Sequence, residues 1–334
     1  MTTGNDGRVR NYAYDPELAA ALELIPAISI EDIEAARVEA GAFFAAREGE
    51  LDQIEDLEIS EQVIAGSAGG PDVRVRVFAP IAYDSALPAL LHIHSGGFVL
   101  GSIEDEHALL AAVALDAGAV VVTVDYRLAP EHPYPAALDD CYAALCWMAE
   151  NADRLGIDLD RVGIAGASAG GALAAGVALL ARDRRGPRLC FQLLNQPVLD
   201  DRLETASMKR FVDTPVWHAT NAALSWRYYL GESPGDVPCY AAPLRADDLS
   251  GLPPAYIATA EFDPLRDEGI LYALRLLEAG VSVELHNFSG TFHGSEQVET
   301  AEVSQRQIAE ILHALRRGLR SSFGSLDRMG APFE

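Results

Sequence analysis

A serine, an aspartate and a histidine stand in small-residue turns along this chain, in the order nucleophile, acid, base. Gly166-Ala167-Ser168-Ala169-Gly170 follows an apolar run, Val162 to Ala165, and opens an Ala/Gly-rich stretch. That is the strand, sharp turn and helix of a nucleophile elbow. The requirement is steric: a strained turn tolerates only small neighbours, and it lifts the serine hydroxyl above a sheet at the positive end of a helix. A bare G-x-S-x-G also occurs in plain glycine-rich turns, so the reading depends on its surroundings.

His94-Ser95-Gly96-Gly97-Phe98 closes another apolar run. Two consecutive glycines let backbone approach a ligand closely, so Gly96 and Gly97, with Ala169 after the serine, are the candidate N–H donors of an oxyanion hole. Eight histidines compete for the role of base, and only His293 sits in a small-residue loop just after the last apolar run, in Ser-Gly-Thr-Phe-His-Gly. His286 lies on that run and reads as a packed or edge residue. His94 reads as a brace for the glycine loop, and His107, His132, His218 and His313 have no supporting motif. For the acid, Glu261, Asp263, Asp267 and Glu268 all follow the run Ala255 to Ala260. Asp263 is the candidate, and Pro264 is expected to start a helix with Asp263 also serving as its cap. The other three carboxylates read as surface or helix-turn charges. Together these residues propose acyl transfer: Ser168 attacks, His293 carries the proton, Asp263 orients His293, and the amides hold the oxyanion.

The elements that must position them follow from hydrophobic patterning. Asp15-Pro16 is expected to open a short helix, and Ser29 to cap a second with Ile33, Ala36, Ala40 and Phe43 on one face. Segments near Leu57 to Ala65 and Val73 to Ala79 alternate valine with polar residues and read as an antiparallel hairpin with one wet face. Short apolar strands then alternate with helices, near 89–94, 119–125, 161–166, 189–195, 254–260 and 281–286. That alternation predicts an α/β class, with a mostly parallel sheet and helices on both faces. The domain reading has N-terminal helices in 1–50, core in 51–198, a cap insert in 199–251, core again in 252–320 and a flexible tail in 321–334. The insert carries Phe211, Trp217, Trp226, Tyr228, Tyr229 and Tyr240, which either shorten a pocket or pack against one another.

The chain has 334 residues, 49% of them hydrophobic, enough for one large core. Twenty-five basic residues against 50 acidic give a net charge of -25, which repels nucleic acid and anionic lipid. No apolar run is long enough to span a membrane, and the N-terminus lacks a secretory h-region, so a cytoplasmic protein is expected. Cys141, Cys146, Cys190 and Cys239 show no C-x-x-C spacing and read as reduced, mostly buried thiols. The expected partner is a small-molecule ester, and a homodimer is compatible with the composition.

HSGGF, Tyr126 to Glu131 (YRLAPE), GASAGG, DPLRDEG and FHG make the chain resemble the hormone-sensitive-lipase-like family of carboxylesterases, from about Asp15 to Arg320. The resemblance implies the α/β-hydrolase fold with a helical cap, and it implies no metal or organic cofactor. Segments such as Leu199 to Trp217 are most similar to a deacetylating bacterial member, which implies a small acyl pocket. Ser95 stands where the family commonly has glycine, and Ala167 where an aspartate usually precedes the nucleophile. Two rivals remain open at this point: an amidase or peptidase on the same scaffold, and a receptor that binds small molecules without turning them over.

Overall fold

The computed structural model describes residues 12–25, 29–45, 54, 56–67, 69–81, 83, 85–232 and 235–320. Helices α1 (Pro16–Ala21) and α2 (Ile33–Ala45) precede strands β1 (Leu57–Ile64) and β2 (Val73–Pro80). Then come β3 (Leu87–Ile93), α3 (His107–Ala117), β4 (Val120–Asp125), α4 (Ala136–Glu150), α5 (Ala152–Leu155), β5 (Ile157–Ala167), α6 (Ala169–Arg184) and β6 (Phe191–Asn195). The segment after β6 holds α7 (Ala206–Arg210) and α8 (Ala219–Leu230), and β7 (Ala255–Phe262), α9 (Arg266–Glu278), β8 (Val283–Phe292) and α10 (Glu302–Arg320) complete the chain.

The eight strands form one sheet in the order β1-β2-β4-β3-β5-β6-β7-β8. β1 and β2 are antiparallel, as is the β2–β4 pair. All pairs from β4 to β8 are parallel. The expected hairpin and all six expected parallel strands are present. In β2, Val73, Val75 and Val77 are buried while Arg74 and Arg76 face Glu61 and Glu104. β3 is buried along its whole length, as a strand covered on both faces must be. One face packs against α3 and α10 through Leu90, Val121, Ala165 and Leu193. The other meets α4, α6 and α9.

Two expected helix starts are corrected. Asp32, not Ser29, caps α2: its Oδ1 accepts from the Ala35 amide at 3.0 Å, three residues into the helix, where an N-cap acts. Ser29 reaches only the Glu31 amide, at 3.4 Å. The Ile33, Ala36, Ala40, Phe43 face faces inward as expected, with Ala36 and Ala40 buried. Pro264 does not open α9, which begins at Arg266. Asp263 instead forms a tight side-chain turn, accepting from the Leu265 amide at 2.9 Å, which leaves its second oxygen free to face elsewhere. Residues 321–334, read as a flexible tail, lie outside the described residues, as does part of the N-terminal region.

Candidate active site

The parallel sheet brings three strand ends to one edge: Ser168 follows β5, Asp263 follows β7 and His293 follows β8. This carboxyl edge is where open α/β sheets place their ligands. Ser168 sits at φ 55°, ψ −119°, a strained turn for a residue with a side chain. Its amide donates to the Asn195 carbonyl at 2.8 Å, and its carbonyl accepts from Val198. Glycine at both ends of the turn is obligatory: a Cβ on Gly166 would fall 2.2 Å from the Gly170 carbonyl oxygen, and one on Gly170 would fall 2.1 Å from that of Ile93.

His293 joins the other two. Its Nε2 lies 3.0 Å from Ser168 Oγ and its Nδ1 lies 2.8 Å from Asp263 Oδ2. With Asp263 ionised, the Nδ1 proton is donated to the carboxylate, which leaves Nε2 as the acceptor facing the hydroxyl. All three residues are buried. Burial by itself lowers the His293 pKa, but the charge and hydrogen bond of Asp263, with Glu296 beyond, outweigh it and raise the pKa above the ordinary 6.5.

Gly96 and Gly97 form a left-handed turn at φ 124° and 59° after β3. Such backbone is open to glycine, and a Cβ on Gly97 would also fall 2.5 Å from the Trp217 ring. Gly96, Gly97 and Ser168 border one cavity of about 450 Å³, and Ala169 opens α6 directly behind the serine. Among the described residues, the amides of Gly96, Gly97 and Ala169 donate no other backbone hydrogen bond.

A family profile described as the alpha/beta hydrolase fold matches residues 90–297. The chain belongs to the α/β-hydrolase family. The hydrolase is 44% identical over 270 residues to the carboxylesterase NlhH of Mycobacterium tuberculosis (strain ATCC 25618 / H37Rv), covering 78% of this chain and 84% of that one. It is 32% identical to an ethyl acetate hydrolase of Pseudomonas putida, over 91% of this chain and 99% of the relative. Among solved structures, a bacterial heroin esterase superposes with a TM-score of 0.90 at 52% identity, covering 92% of this chain and 99% of the other. The hormone-sensitive-lipase-like resemblance read from the motifs holds.

The rejected candidates of the hydrolase have other partners. His94 stacks on Tyr126 with ring centroids 4.0 Å apart, and its Nδ1 meets the Ser95 carbonyl, so it braces the glycine loop as expected. His286 pairs with Glu284 on the edge strand. Asp267 accepts from the Ser207 amide at 2.7 Å, and Glu261 from the Gly290 amide at 2.8 Å. Glu268 is no surface charge: it is fully buried and accepts from the Leu199 amide at 2.6 Å. Burial raises its pKa well above the usual carboxyl range.

Of the six aromatics in the segment after β6, only Trp217 lines the cavity. Tyr229 stacks on Phe98 at 4.0 Å and Trp226 packs beside it, so the others are largely that layer's own core. Ile25 and Phe43 from the N-terminal segments line the cavity too. Arg37 of α2 ties this layer down, donating to the Val99 and Ala129 carbonyls and pairing with both oxygens of Glu131.

Three contributors escaped the sequence reading. Gln196 accepts from the Gly294 amide at 2.7 Å and holds the histidine loop, with no motif to announce it. Glu106 and Glu296 border the cavity, and Glu296 could have been suspected from its place three residues after His293. Among the described residues, Glu284, His286 and Glu310 bring possible metal ligands within 4.8 Å of one another, but they lie at the β8 edge and Arg317 already engages Glu284.

Proposed function

We propose that this protein hydrolyses carboxylic esters with short acyl groups, with Ser168 as nucleophile, His293 as base, Asp263 as orienting acid and the Gly96, Gly97 and Ala169 amides as oxyanion hole. The observation that carries the reading is the unbroken hydrogen-bonded line from Ser168 Oγ through both ring nitrogens of His293 to Asp263. His293 takes the serine proton as Oγ attacks the ester carbonyl, and the imidazolium returns it to the leaving alkoxide. Water repeats the sequence on the acyl-enzyme. Asp263 stabilises the imidazolium without taking its proton, and each oxyanion donor is worth roughly 3 to 4 kcal/mol.

The short-acyl preference is supported by Trp217, whose ring stands against Gly97 on the cavity wall, and by the ethyl acetate hydrolase among the relatives. In this reading the N-terminal helices and the 199–251 insert act together as a cap. A cytosolic protein acting on a dissolved small molecule accords with four unpaired cysteines and the strongly acidic chain. No helix among the described residues is long and apolar enough to cross a membrane.

The test is kcat/KM across nitrophenyl esters of increasing acyl length. A maximum at acetyl to butyryl is expected, moving to longer chains in Trp217→Ala. A wild-type maximum at eight carbons or beyond contradicts the acyl assignment, and no turnover of any ester contradicts the activity.

A further inference from the structure

The cavity beside Ser168 does not end at the sheet edge. It continues down the sheet face that α3 and α10 cover, and every residue those two helices contribute to its wall is apolar. α3 supplies Leu109 and Val113, four residues apart, and α10 supplies Ile308, Ile311 and Leu315, at the i, i+3, i+7 spacing of one helix face. Leu315 is buried, whereas Ile308 and Ile311 are only half-buried.

The floor of this arm follows from β5. Alternate residues of a strand share a face, and on this side β5 presents only Gly163 and Ala165. At Gly163 the space is filled: a Cβ there would fall 2.7 Å from Leu319 Cδ2, and one on Gly318 would fall 2.3 Å from the Phe191 ring. At Ala165, three residues before the nucleophile, only a methyl group projects, and the cavity opens. α10 thus lies hard against the sheet at Gly318 and Leu319 and stands off it from Leu315 back to Ile308. Protein interiors hold few voids larger than a water molecule, and an apolar one offers water no hydrogen-bond partner. An arm of this kind, continuous with the nucleophile, suits an apolar part of the substrate.

The chemistry decides which part. His293 Nε2, 3.0 Å from Ser168 Oγ, must also reach the leaving oxygen, so the alcohol departs on the histidine side. On that side Gly294 and Gln297 carry the cavity wall from His293 toward α10. The oxyanion side is crowded, since the Trp217 ring lies 2.5 Å from where a Cβ on Gly97 would be. From Ile308 to Leu315 the α10 wall runs roughly 10 Å at 1.5 Å of rise per residue, the length of an extended alkyl chain of about eight carbons. We infer that this arm seats the leaving alcohol as a straight apolar chain, so that the cavity selects short-acyl esters of medium-chain alkanols. This rests on the ester-hydrolase reading of the same site and adds the chemical class of the alcohol.

The experiment measures kcat/KM by acetate release for acetates of straight-chain alkanols from ethyl to octyl, each below its solubility limit, with nitrophenyl acetate as reference. The wild type is expected to gain about two- to fourfold per added CH2 up to octyl, as burial of apolar surface predicts. Hexyl acetate and ethyl hexanoate are isomers, so comparing them separates the direction of the arm from hydrophobicity in general, and hexyl acetate is expected to be favoured by about tenfold or more. Ile311→Trp, which fills the arm, is expected to bring the octyl-to-ethyl ratio toward one. A flat wild-type series, or a preference for ethyl hexanoate, with nitrophenyl acetate still cleaved, overturns the inference and leaves ester hydrolysis in place. So does an octyl-to-ethyl ratio unchanged in folded Ile311→Trp. The wild-type series and the isomer pair need no substitution, so a misfolded variant does not shield the inference. If nitrophenyl acetate is not cleaved either, the underlying reading and the inference fall together.

Discussion

The sheet edge that carries Ser168 and the layer that covers it are held by different means. At the edge, backbone crowds backbone: glycines are imposed by carbonyl oxygens that a Cβ would meet at 2.1 to 2.2 Å. In the covering layer, side chains do the holding: Arg37 clamps α2 to the glycine loop and Tyr229 stacks on Phe98. Backbone crowding leaves almost no alternative geometry, whereas a clamp or a ring can be exchanged and the layer repacked. Under the proposed function, the reacting atoms are thus placed by the less forgiving material, and the cap that would read the ligand's shape is built from the more adaptable one.

Substitutions at the edge should therefore cost far more activity than substitutions in the layer. Ser168→Ala is expected to lower kcat by about 10⁴-fold or more while leaving the melting temperature close to wild type, because the elbow accepts a small side chain and loses only the attacking oxygen. Comparable kcat in that variant would break the comparison at its centre. Asp263→Asn comes next, with a loss of up to about 10⁴-fold, because an amide presents the wrong partner to Nδ1 and favours the wrong tautomer. Asp267→Asn, whose carboxylate holds the Ser207 amide, should cost little in steady-state rate. If the two rank the other way, the acid has been misassigned.

The electrostatics of the edge should show in a pH profile. Protonated His293 cannot accept the serine proton, so kcat/KM is expected to rise with pH and to level off above the inflection. Because Asp263 and Glu296 together outweigh burial, that inflection should lie above the 6.5 of an unperturbed histidine. An inflection at or below 6.5 would mean that burial wins. The smallest effect is expected in the covering layer: Arg37→Ala should raise KM about two- to fivefold and change kcat by less, since it loosens the clamp without touching the reacting atoms. A fall in kcat as large as that of Asp263→Asn would erase the distinction between the two regions.

Much of the edge was legible in advance because its constraints are local. A turn that admits only glycine and alanine announces itself in five residues, and a buried parallel strand in six or seven. The α9 start was misread because Pro at a first helical position and Asp in a side-chain turn leave the same residues in sequence. The cap of α2 failed for a related reason, since Ser29 and Asp32 are both good capping types.

The sequence alone determined the chain order of Ser168, Asp263 and His293, the strand and helix alternation, and the family. It could not decide among Glu261, Asp263, Asp267 and Glu268 except by position. Only the sheet order, which brings β5, β7 and β8 to one edge, turned Asp263 toward His293 and gave the other three separate amide partners. The meeting of Glu106 with Glu296 beside Ser168 belongs to the tertiary structure as well. Local sterics and periodicity are written into neighbouring residues, but the field inside a cavity is summed over groups far apart in the chain, and that sum exists only once the chain has folded.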